Sequence, residues 1–130
     1  MDRKSVLSQL KVNQPRRTLL IPELSGDKET LFYSTPITPN DELKVEEILD
    51  GVEMLKSQYN TYRGVAMLIQ KLEFEDGSPV FSRGDLNLMI SNMESKLISA
   101  IYVKIMMLPG HYAEEVEKAK KPSRKTGESE

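Results

Sequence analysis

Apolar positions along this chain fall at helical spacing in two long stretches and gather in two short runs rich in strand formers. The longest helical pattern covers residues 81–108. Leu86, Ile90, Met93, Leu97, Ala100 and Ile101 recur there in near-helical register, which predicts one helix about 40 Å long at roughly 1.5 Å per residue. Ser82 and Asp85 stand three apart, as in a capping box. The hydroxyl is expected to accept from the Asp85 amide while the carboxylate reaches back to the cap. Phe81 and Leu86 occupy the two positions of a hydrophobic staple, and Pro109-Gly110 supplies the stop. The second half of this stretch, residues 97–108, is apolar on almost every side. Such a helix must be covered on most of its faces, and in a small chain a partner is a natural supplier of that cover.

The other helical stretch opens at Thr38-Pro39-Asn40-Asp41, where a threonine cap, proline at the first position and acidic residues in the first turn agree. Val45, Ile48, Val52, Leu55, Tyr59, Tyr62, Ala66 and Ile69 then alternate steps of three and four as a heptad seam. Gly51 and Gly64 weaken it by roughly 1 kcal/mol each relative to alanine. Two helices over 39–55 and 58–73 are expected, or one long kinked helix. Upstream, Thr18-Leu19-Leu20-Ile21 and Thr30-Leu31-Phe32-Tyr33 flank the turn residues Ser25-Gly26-Asp27-Lys28. They predict a small β-hairpin that needs a helix to lean on.

The predicted fold class is therefore mainly α: a small helical domain with a short N-terminal β-hairpin and a disordered, charged C-terminal tail. Residues 1–17 form a basic arm or a short helix, with Val6, Leu7 and Leu10 at helical spacing. Residues 18–112 form the helical interaction domain. Residues 113–130 form the tail, which carries Val116 as its one hydrophobic side chain larger than alanine; it is expected to be helical at most to Lys120 and disordered after Pro122.

Composition narrows the function more than it names it. A formal charge of −2 over 130 residues gives no general attraction to nucleic acid or membranes. The basic start (Arg3, Lys4, Lys11, Arg16 and Arg17 against Asp2) has no aromatic residue interleaved, so nucleic acid is not the expected partner. There is no cysteine, which excludes disulfides and thiolate zinc sites. The N-terminus lacks a signal-peptide core, and residues 97–108 are too short to span a bilayer and include Lys104. A soluble, unexported chain is the expectation.

Catalysis has little to stand on. His111 is the only histidine, no serine sits in a nucleophile elbow, and the glycines are scattered rather than gathered into a phosphate loop. His111, Glu114 and Glu115 share a spacing that fits one helix turn, which reads better as a solvated helix start than as a metal site. No enzyme, cofactor or metal is expected.

Methionine is more informative, since Met89, Met93, Met106 and Met107 all lie within residues 81–108. Flexible thioethers suit a surface that must fit an irregular apolar partner, although each one alone suits a core gap equally. The residues assigned to partner binding or self-association are Met89, Met93, Leu97, Ile101, Ile105, Met106 and Leu108.

The run Glu73-Phe74-Glu75-Asp76-Gly77-Ser78-Pro79-Val80-Phe81-Ser82-Arg83-Gly84-Asp85-Leu86 carries a resemblance. A helix, a short acidic Gly-Pro turn, an aromatic residue, a capping serine and an acidic-leucine step resemble the small tail assembly chaperones of long-tailed, siphovirus-type, lambda-like bacteriophages. The Thr38-Pro39 opening and the hairpin fit that family's layout, so the resemblance covers most of residues 18–108. Arg83 and Gly84 stand where the family more often has acidic residues. The resemblance implies a protein of the host cell cytoplasm, absent from the mature virion. It implies a homo-oligomer that binds and solubilises the tape measure protein, and that recruits the tail tube protein through a longer form made by a −1 ribosomal frameshift. Ala119-Lys120-Lys121 is where adjacent lysine codons would supply the slippery run. The alternative reading is a small helical dimerising regulator, an antitoxin or a DNA-associated protein, for which the basic start speaks.

Overall fold

The computed structural model describes residues 2–111. The tail at 113–130, the helical extension to Lys120, the lysine pair at 120–121, and Glu114 and Glu115 lie outside the described residues. The chain divides into two units, Arg16–Leu108 and a second one made of Met1–Pro15 with the segment that follows Leu108.

In the second unit, helix α1 runs Arg3–Leu10. Asp2 caps it by accepting from the Ser5 amide at 2.8 Å, and no residue of the helix is buried. The His111 amide donates to Gln14 Oε1 at 3.0 Å, and its ring Nε2 lies 3.4 Å from Gln9 Oε1.

The larger unit begins with the predicted hairpin. Strands β1 (Arg17–Leu20) and β2 (Leu31–Ser34) pair antiparallel with Leu19 opposite Phe32. Those two side chains face the core; Thr18, Leu20, Leu31 and Tyr33 point the other way. The connection is longer than a plain turn. A single helical turn, α2 (Pro22–Ser25), ends at Gly26, and the Asp27 carboxylate then accepts from the amides of Glu29 and Thr30.

Helix α3 spans Pro39–Leu49 and α4 spans Tyr59–Lys71. The Thr38–Asp41 capping box is complete: Asp41 N–H donates to the threonine hydroxyl, and Thr38 N–H donates to the carboxylate at 2.9 Å. Gly51, at φ 78, takes the chain out of the helical path in a conformation that L side chains rarely adopt. The heptad seam is thus interrupted rather than continuous. Val45 and Ile48 are buried on α3, whereas Val52 and Leu55 fall in the connection and Leu55 is exposed.

Helix α4 is the centre of the molecule's core. Five consecutive residues from Val65 to Ile69 are buried on it, which only a helix covered on several sides can manage. It packs against α3 and against two further helices, α5 (Leu86–Asn92) and α6 (Ser95–Met106).

The single 81–108 helix is the main correction. The chain leaves helical geometry at Met93 and Glu94, both extended, and restarts at Ser95. The reason lies in which residues must face α4. Leu86 and Met89 are buried on α5; Ile98, Ile101 and Ile105 are buried on α6. On one straight helix at about 100° per residue, these sets would point roughly 120° apart. Breaking the helix turns both sets onto the same neighbour. The predicted stripe fails with it, because Ala100 is exposed and Ile90 only half-buried.

Before α5 the chain folds back on itself. The Phe74 amide donates to Ser78 O at 2.8 Å, Gly77 sits at φ 89, and Val80 N–H reaches Leu72 O. Tyr33 and Glu73 exchange two backbone hydrogen bonds, 2.8 and 2.9 Å, which attach the hairpin to the end of α4.

Candidate interaction surface

Three polar constellations tie the larger unit together, and each is consumed by that task. Lys71, on the last turn of α4, is buried. Its ammonium donates to Asp41 Oδ2 at 2.8 Å, to Thr35 Oγ1 at 2.7 Å and to Pro36 O at 3.3 Å, so all three hydrogens are satisfied. Burial alone would raise the Asp41 pKa. The Lys71 hydrogen bond, the Thr38 amide and the lysine charge together hold it below the ordinary carboxylate value.

Arg16 stacks over Tyr33 at 4.5 Å. Its guanidinium donates to Glu73 Oε1 and to the carbonyls of Phe74 and Glu75, clamping the hairpin to the turn before α5. Arg63 on α4 pairs with Glu42 at 3.5 Å and Glu46 at 3.2 Å on α3, and the Tyr59 hydroxyl donates to Glu46. Among the described residues, no cluster of three or more histidine or acidic side chains has the geometry to hold a metal ion. No described helix is long and apolar enough to cross a membrane.

The residues assigned from sequence to a partner surface separate into two groups. Met89, Ile101 and Ile105 are buried in the chain's own core, and Met93, Leu97 and Leu108 are half-buried against it. Those six supply intramolecular packing. Met106 alone stands open, at 54% exposure.

No family model matches this chain, and no curated protein does. Among solved structures, it is similar to the tail assembly chaperone of bacteriophage HK97. That alignment has a TM-score of 0.46 at 18% identity and covers 78% of this chain and 98% of that chain. Likeness at that level carries no function with it.

The outer face of α6 is the surface that sequence reasoning missed. Ala100, Val103 and Met107 line it, and Met106 lies beside them; Val103 is 48% and Met107 72% exposed. Its signal was present, as the complement of the buried set Ile98, Ile101 and Ile105, but only once that set is fixed. Beside this stripe, between α4 and α6, runs an open groove of about 410 Å³. Thr61 and Gly64 from α4 and Ser95 and Ser99 from α6 are its short lining residues, and Asn60, Arg63 and Tyr102 line it beside them. A Cβ on Gly64 would lie 3.3 Å from Ile98 Cγ2, so glycine sets how closely the two helices approach.

Proposed function

We propose that this chain is a phage tail assembly chaperone: a binding protein that covers the apolar seam of the tape measure protein and keeps it soluble in the host cytoplasm before the tail closes. The observation that carries the reading is the outer face of α6. There, Ala100, Val103 and two methionines, Met106 and Met107, lie on a helix whose opposite face is committed to the core. An exposed apolar stripe on a charged small protein marks an interaction site. Adaptable methionines suit a long partner whose seam varies along its length. The resemblance over residues 18–108 supplies the kind of partner. Recruitment of the tail tube protein through a frameshift-extended form, self-association, and absence from the finished particle belong to the same proposal.

Co-expression is the direct test. The cognate tape measure protein should be insoluble alone and soluble with this chain, and the complex should survive moderate salt because its contact is apolar. A pull-down that recovers no tape measure protein at low and at moderate salt removes the proposal.

A further inference from the structure

We infer that the α4/α6 groove and the Ala100–Val103–Met107 stripe together seat a single amphipathic helix whose apolar seam is flanked by carboxylates. The inference deepens the chaperone reading and rests on it only for the owner of that helix.

Three features of the surface select such an occupant. The first is shape: the groove lies between two helices, is floored by Gly64 and Ile98, and is walled by Val103. Beside Asn60, Arg63 and Tyr102, which also line it, the short side chains of Thr61, Gly64, Ser95 and Ser99 let another helix lay residues at i, i+3, i+4 and i+7 along it. The second is apolarity: Ala100, Val103 and Met107 follow one another at steps of three and four, bordered by Ser99 and Lys104.

The third is charge. From Ser95 to Met106, α6 contains Lys96 and Lys104 and no acidic residue. Lys96 is exposed, with no ion-pair partner among the described residues. Lys104 donates to the Leu20 carbonyl at 2.8 Å, which leaves its positive charge unmatched. The other cation beside the groove, Arg63, is already balanced by Glu42 and Glu46. With Glu94 at the N-cap set against Lys96 and Lys104, the net charge along this face is positive, Lys96 preceding Ala100 and Lys104 lying between Val103 and Met107. Acidic flanks on the incoming helix would meet it; basic flanks would be repelled.

Two designed helical peptides with the same leucine-alanine seam, one flanked by glutamate and one by lysine, serve as probes. Each is titrated against the full chain by fluorescence anisotropy. The glutamate peptide should bind at least tenfold more tightly than the lysine peptide. Val103→Asp should weaken it at least tenfold and Lys96→Glu several-fold, while Lys96→Arg retains binding. Val103 and Lys96 are exposed, so circular dichroism should show all three variants folded. Equal binding of the two peptides, or binding unaffected by Val103→Asp, overturns the inference. So does a concentration-dependent dimer that Val103→Asp dissociates while neither peptide binds, because the occupant is then a second copy. Solubilisation of the tape measure protein by the Val103→Asp chain overturns this surface and leaves the proposed role standing. Failure of the wild type to solubilise it removes the role, and the peptide titration still decides the surface.

Discussion

At Ser82 and Asp85 the pairing expected from sequence is present, yet its chemistry is divided differently. The Asp85 carboxylate accepts the Ser82 amide at 2.8 Å, and the serine hydroxyl donates to that same carboxylate at 3.3 Å. The Asp85 amide goes to the Ser82 backbone carbonyl instead of the hydroxyl. Asp85→Ala should therefore cost about 1 kcal/mol of stability and Ser82→Ala only a few tenths (~0.3 kcal/mol); thermal midpoints of the two variants check the order. A larger effect belongs to the buried pair of Asp41 and Lys71. Asp41→Asn leaves a buried ammonium without its counter-charge and should cost about 3–5 kcal/mol, whereas Lys71→Met should cost less, since the Asp41 carboxylate keeps the Thr38 amide and hydroxyl and is the less buried partner. The pair also sets a pH dependence. Because the folded pKa of Asp41 is lowered, its contribution is complete above the ordinary carboxylate pKa of about 3.9. It is lost as pH falls through the lowered folded value. Urea melts between neutral pH and pH 3 should show the wild type losing stability toward acid and the Asp41→Asn chain losing less.

At the scale of elements, the hairpin, the Thr38 cap and the interruption near Gly51 were legible because each is written in local chemistry: strand formers around turn residues, a hydroxyl before a proline, a glycine at positive φ. The break at Met93–Glu94 was not. No proline or glycine marks it, and it follows from the demand that α5 and α6 both face α4. The partner residues were assigned because residues 97–108 are apolar on almost every side, and Ile101 and Ile105 among them are buried in the chain's own core. Aspartate at either position should unfold the chain rather than dissociate an oligomer. Gly64 offers a sharper probe of helix packing. Alanine there gains about 1 kcal/mol of helix propensity, set against the 3.3 Å approach of its Cβ to Ile98. Leucine cannot be fitted without separating α4 from α6, and should cost about 1–3 kcal/mol. If Gly64→Leu melts at the wild-type temperature, the close approach of the two helices is misplaced.

For the molecule as a whole, the sequence conveys a mainly helical domain with an N-terminal hairpin, while the face proposed for binding depends on the order in which its helices wrap α4. That order has a temporal side as well. The hairpin is complete at Ser34, yet its backbone partner is Glu73 and its cover is the core around α4. A two-stranded hairpin is marginal alone. During synthesis at about 5–20 residues per second, the ribosome takes roughly 2–8 s to travel from one to the other. Through that interval Leu19 and Phe32 are made before the α4 residues that complete the core they belong to. The nascent chain therefore has its most sticky moment early, and folding is gated by the arrival of α4 rather than by the first element to emerge.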